Sequence, residues 1–326
     1  MKLTDYARRE IGSSSIPSLV LTDEGYIGFN SPNDELEKAI NALQGKEVIN
    51  DIANNPKVKA GTVLEPAILK LFHNEILKIG AEQKAPSIKV DVPDKAFFFD
   101  VDGGKIGSSL DARMELESKL TLIDHSNSSH ELNGMGVIEI KNYSGAAIDP
   151  VSEIYKLQVQ AQLLTTGYNY AILVRLVKGW ELQWFVYKPN KEIQAKLIDA
   201  AVEFWHRVDG VLEGDKLHYA AANSKEASRI YKGNRSKDVV DLNTNNEMPQ
   251  LIDDYIAAGK AIKASKEIQD KVSTRLKEIL GENEKAECHG FVVNHTTYEK
   301  AKTKMVKVEG AAPTITRRFS IKEING

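Results

Sequence analysis

From Gly61 onward, Val63, Leu64, Ala67, Ile68, Leu71 and Phe72 recur at helical spacing, which predicts a helix running to about Lys78. Upstream, Asn33-Asp34-Glu35 is a helix-opening signal for a segment through Ala42. Downstream, Val90–Val92, Ala96–Val101, Ile106–Glu115 and Gly136–Lys141 read as strands, parted by Asp-Gly-Gly, Ser-Asn-Ser-Ser and Asn-Gly turn signals. A helical period returns from Ser152 to about Thr166, with Gly167 as its cap. Tyr170–Val177 and Leu182–Lys188 flank Lys178-Gly179-Trp180 as a β-hairpin, and an amphipathic helix follows over about Lys191–Leu212. Trp180, Trp184 and Trp205 are read as packing residues rather than base-stacking platforms.

Strands, one crossover helix and a hairpin predict an α/β fold, a mixed central sheet flanked by helices. The span 225–248 is polar and poor in large apolar residues, so a first domain over 1–224 is expected to end in a linker or mobile loop there. Residues 249–326 form the expected α+β extension. It comprises a charged helix from Pro249 to about Leu280, then short strands carrying Lys300, Lys302, Lys304, Lys307, Arg317, Arg318 and Lys322.

Composition narrows the function classes. The one cysteine, Cys288, excludes an intrachain disulfide and a zinc–cysteine cluster, as suits a reducing compartment. A formal net charge of −3 excludes a globally basic nucleic-acid binder but not a local DNA track. MKLTDYARRE has no signal-peptide core, and no apolar run approaches the ~18 residues of a membrane span, so a soluble cytoplasmic protein is expected. The seven histidines show neither HxH nor HExxH spacing.

The chemistry lies in Gly107–Arg113 and Gly136–Lys141. The second segment is an apolar strand interrupted by Glu139 and Lys141, which share a face because strand side chains alternate. Ile140 then faces the core. A carboxylate and an ammonium on a mostly buried strand are costly unless they bind something. With Asp111 from a neighbouring strand, and the Ile140 carbonyl as a third donor, the set suits Mg²⁺ or Mn²⁺. Lys141 would orient or deprotonate a bound water for phosphodiester hydrolysis. A salt-bridged surface strand produces the same spacing. Glu65 suits either a metal ligand or an N-terminal helix charge. Gln158 and Gln162, one turn apart with Tyr155 three residues before Gln158, suit either a site or a plain polar face.

Taken in order, Gly61…Glu65, Asp111, Glu139-x-Lys141 and Tyr155-x-x-Gln158-Val-Gln-x-Gln, followed by a hairpin, resemble the PD-(D/E)xK nuclease superfamily. They look most like its YqaJ branch of viral recombinase exonucleases, relatives of phage lambda exonuclease. The resemblance covers roughly residues 5–215. It implies a restriction-endonuclease-like core, Glu65, Asp111 and Glu139 as metal ligands, Lys141 as catalytic lysine, and Gln158 with Tyr155 in support. Arg8-Arg9-Glu10-Ile11-Gly12-Ser13-Ser14 is similar to a family segment in which an arginine and a serine hold the 5′-phosphate. That assigns Ser14 and one of Arg8 or Arg9; an arginine-rich helix end with a capping serine is the alternative. A departure is the long segment Ser118–Asn133 between the two motif strands. The family implies Mg²⁺-dependent 5′→3′ digestion of double-stranded DNA ends in phage or prophage recombination within a bacterial host. It also implies a ring-shaped homotrimer and a single-strand annealing protein as partner. An endonuclease of the same superfamily is the first alternative. A non-catalytic DNA-binding or annealing protein on this scaffold is the second.

Overall fold

The computed structural model describes residues 4–23, 25–46, 55–84, 87–143, 151–216, 218–231, 239–288 and 291–295. The basic positions Lys300 to Lys322 lie outside them. The chain divides into two units, Met1–Ile230 and Tyr231–Gly326.

The first unit opens with helix Thr4–Ala7 (α1), strand Glu10–Gly12 (β1), a 3₁₀ turn at Ile16–Leu19, and the short hairpin Leu21–Thr22 (β2) and Gly25–Tyr26 (β3). Helix Pro32–Leu43 (α2) starts where a capping box forms. Ser31 Oγ accepts from the Asp34 amide at 3.1 Å, and Asp34 Oδ2 accepts from the Ser31 amide at 3.0 Å. Helix Pro56–Glu82 (α3) begins well before the apolar stripe at Val63. Asn55 caps it, accepting from the Lys57 amide at 2.9 Å, and Pro56 occupies the first helical position. Its first turns are exposed, which is why they carry no hydrophobic period.

Strands Ile88–Asp91 (β4), Phe97–Val101 (β5), Gly104–Ser108 (β6), Ala112–Ile123 (β7) and Ser129–Tyr143 (β8) follow. The single strand expected over Ile106–Glu115 is two. β6 belongs to a three-stranded sheet of order β1-β6-β5, whereas β7 belongs to the central sheet, so the chain changes sheet across Ser109-Leu110-Asp111. The Ser118–Asn133 segment is an extended β7–β8 hairpin. Its turn is held by Asp124 Oδ1, which accepts from the amides of Ser126 (2.9 Å) and Ser128 (3.2 Å).

Helix Glu153–Thr166 (α4), ended by Gly167 at φ 67°, crosses from β8 to the parallel strand Tyr170–Val177 (β9), which turns back as Glu181–Tyr187 (β10). The central sheet therefore runs β10-β9-β8-β7-β4 and is mixed. Helix Lys191–Glu213 (α5) is capped by Asn190, and a short helix, Ser224–Ile230 (α6), follows. α6 falls at the start of the span read as a linker. It is fastened to α2 by Arg229, which pairs with Asp34 (2.6 Å) and Glu37 (2.9 Å). The second unit contains helix Met248–Leu280 (α7) and the hairpin Lys285–Cys288 (β11) with Phe291–Asn294 (β12).

Both faces of the central sheet are covered. Ile68, Phe72 and Ile76 of α3 pack on Met114, Ile138, Ile140 and Val174. Val159 and Leu163 of α4 pack on Val137, Ala171 and Leu173. Each such side chain contributes roughly 1.5–3 kcal/mol by leaving water. Strand alternation thus turns Ile138 and Ile140 towards α3, and Val137, Glu139 and Lys141 towards α4. Gly136 starts this run because any Cβ there would lie 2.0 Å from the Tyr170 ring. Trp205 is fully buried and Trp184 packs on Phe72 at 6.1 Å, but Trp180, at the hairpin tip, is 74% exposed and packs on little. Among the described residues no helix is long and apolar enough to cross a membrane.

Candidate active site

Where β8 passes beneath α4, Glu139 is almost wholly buried. Its Oε1 accepts from Gln158 Nε2 at 2.7 Å and from the Lys141 ammonium, and its Oε2 accepts from Gln162 Nε2 at 2.5 Å. These charge-assisted bonds explain how a carboxylate is kept on a covered strand. Gln158 and Gln162 reach the same carboxylate because they lie one turn apart on α4. The sequence reading assigned Gln158 but not Gln162, although the i, i+4 spacing was the available signal. Gln162 is fully buried, and its Oε1 has no hydrogen-bond partner among the described residues.

Asp111, at the change of sheet, faces the next residue of β8. Its Oδ2 accepts from the Ile140 amide at 2.7 Å. The bond is to the Ile140 amide, whereas the expected ligand role was for its carbonyl. Burial, then the negative charge of Glu139, push the Asp111 carboxyl up to about 8; the Ile140 amide and Lys141 oppose the rise, and Glu65 adds to it. Glu65, on the inner side of α3, is itself raised, by burial and then by Glu139. The three carboxylates thus feel one another's charge in one cleft of about 1020 Å³, which Lys141, Tyr155 and Gln158 also line.

Burial pulls the Lys141 ammonium down, but Glu139 and Asp111 outweigh it, so its pKa lies above the ordinary lysine value. The ammonium also sits 4.9 Å over the Tyr155 ring. Beside these carboxylates the ammonium is suited to orienting water and steadying a phosphate.

The donor chemistry fits a hard divalent cation: oxygen ligands only, two of them carboxyl groups raised by burial and then by the negative charge of Glu139. Among the described residues no group of three or more His, Cys, Asp or Glu side chains is gathered tightly enough to enclose a metal ion, and both Glu139 oxygens are taken by their donors.

The two N-terminal arginines part company. Arg8 lines the cleft together with Ser14, and it pairs with Glu10 (3.0 Å) and Asp5 (2.7 Å). Arg9 points elsewhere. With φ at 57° it turns its guanidinium onto both Asp209 oxygens at 2.8 Å, bonds the Gly103 carbonyl and stacks 5.1 Å over Trp205. Arg9 thus fastens β1 to α5, and Arg8 is the arginine of the cleft. Arg9→Ala is expected to lower the urea midpoint, a loss of about 1 kcal/mol, while leaving oligonucleotide affinity by fluorescence anisotropy unchanged.

No family model and no curated protein matches the chain. Among solved structures, LHK-Exo in complex with dAMP is 16% identical with a TM-score of 0.43, over 64% of this chain and 91% of that one. An alkaline exonuclease (LHK-Exo) from Laribacter hongkongensis gives 16% and 0.43 over 65% and 93%. SSO0001 gives 13% and 0.34 over 67% and 87%.

Proposed function

We propose that this protein is a divalent-metal-dependent deoxyribonuclease that degrades double-stranded DNA from its ends. One observation carries the reading: Glu139, Asp111 and Glu65 share a cleft with a charged lysine, and Glu139 is locked in place by two glutamines of α4. In that reading Glu65, Asp111 and Glu139 hold Mg²⁺ (or Mn²⁺). The bound ion would supply an activated water for attack on a phosphodiester. Lys141 places positive charge where the phosphate gains negative charge, and Gln158 and Gln162 fix the angle of Glu139. Arg8 and Ser14, on the same cleft, are suited to a terminal phosphate.

The resemblance supplies the finer terms of the proposal: 5′→3′ polarity, a place in phage or prophage recombination, a trimeric assembly and an annealing protein as partner. Linear duplex with 5′-phosphate ends should be digested in Mg²⁺ faster than duplex with 5′-hydroxyl ends, and covalently closed circles should survive. Cutting of the circles at a similar rate would replace this reading with an endonuclease.

A further inference from the structure

Behind Lys141, on the next strand of the sheet, lies a charge that the proposed hydrolysis does not use. Arg175 of β9 is the register partner of Lys141 in the parallel β8–β9 pair, so both side chains leave the sheet on the α4 side. Arg175 is 1% exposed. A guanidinium so deeply buried is costly unless its donors are placed. Its Nε donates to Gln183 Oε1 at 2.6 Å, and its central carbon lies 4.7 Å from the centre of the Phe185 ring and 5.7 Å from that of Tyr143.

Tyr143 links this charge to the site. Its hydroxyl bonds to both Tyr155 and Arg175, and burial, then Tyr155, push it up to about 12, so it keeps its proton. The Tyr143 and Tyr155 rings meet edge-on at 6.3 Å, and the Tyr155 ring in turn lies 4.9 Å from the Lys141 ammonium. A chain of side-chain contacts therefore runs from Gln183 through Arg175, Tyr143 and Tyr155 to Lys141. Resting on the nuclease reading of this site, we propose that Arg175 is a positioning residue for Lys141, setting the Tyr155 ring against the ammonium through Tyr143. Without that support Lys141 keeps its pair with Glu139 but loses the ring that fixes where its charge stands. A misplacement of about 1 Å is enough to slow a reaction roughly 100-fold.

Two variants break the chain of contacts at different links. R175M removes the charge and fills much of the same volume, and Y143F removes only the hydroxyl. Each is expected to lower kcat for Mg²⁺-dependent digestion of linear duplex about 10- to 100-fold, with KM little changed. The double variant R175M/Y143F should be no worse than R175M alone, because both act on one chain of contacts. A second readout needs no turnover. The lysines of the full protein are reductively methylated with ¹³C-formaldehyde, and the NMR signal absent from K141R reports Lys141. The Tyr155 ring should displace that signal upfield, and R175M and Y143F should each return it towards the other lysine signals. A wild type that digests no DNA, yet whose signal returns in the variants, overturns the nuclease reading and keeps the positioning role. A signal that does not move in Y143F overturns the positioning role whatever the activity. A loss of kcat in R175M that Y143F does not share also overturns it, and leaves Arg175 a packing residue.

Discussion

Lys141→Ala is expected to reduce Mg²⁺-dependent digestion of linear duplex by at least about 10²- to 10³-fold, the scale lost when one preorganised donor to a developing charge is removed. The pKa of Lys141 is held above the ordinary lysine value by Glu139 and Asp111 against the pull of burial, so the variant deletes a full positive charge from the cleft. The fold should persist, because Glu139 keeps the amide donors of Gln158 and Gln162. Duplex affinity measured in Ca²⁺ or EDTA should change little, since Arg8 and Lys57 remain in the cleft. Undiminished digestion by the variant would remove the catalytic assignment altogether.

Trp205→Ala should produce the largest loss of stability. The indole is fully buried, packs edge-on against Phe204 at 4.9 Å and Tyr6 at 6.5 Å, and lies so close to Gly104 that a Cβ there would sit 2.4 Å from its Nε1. Among the described residues that nitrogen has no hydrogen-bond partner, so the residue acts through packing. Emptying this volume costs about 3–5 kcal/mol, and thermal unfolding should move down by roughly 10 °C. Arg9 loses its aromatic support in the same variant. An unchanged melting temperature would mean that α5 does not anchor this end of the fold.

The elements that the sequence disclosed are those with a one-face period or an explicit stop. α4 is bounded by Ser152 and by Gly167 in the left-handed region, and β9 and β10 flank a Lys-Gly turn. What stayed hidden depends on partners far along the chain. Ile106 to Glu115 reads as one apolar stretch because alternation continues across it, while the two halves belong to different sheets. The first turns of α3 face away from the core and so leave no periodic trace. In the site, Glu139 and Lys141 were legible because a charged pair on an apolar strand needs a reason. Gln162 was not, since a glutamine one turn from another looks like an ordinary polar face until the carboxylate between them is seen. Arg8 and Arg9 are adjacent in sequence, and contacts far along the chain, to Gly103, Trp205 and Asp209, separate their roles. Trp180 was expected to pack; at the tip of a tight hairpin it is 74% exposed.

Pro66 lies inside α3, immediately after Glu65 and at the point where the helix passes from exposed turns to the buried anchors Ile68, Phe72 and Ile76. Proline has no amide hydrogen, so the Thr62 carbonyl receives no helical bond from that position. That missing bond falls where the exposed turns of the helix meet the anchored ones, beside a carboxylate of the cleft. Lys57 stands nine residues up the exposed arm, about 13 Å at 1.5 Å per residue, so a bend of about 10° at this joint would carry it through roughly 2 Å. A change of angle at this one joint would alter the width of the cleft while the strands bearing Asp111 and Glu139 stay in place.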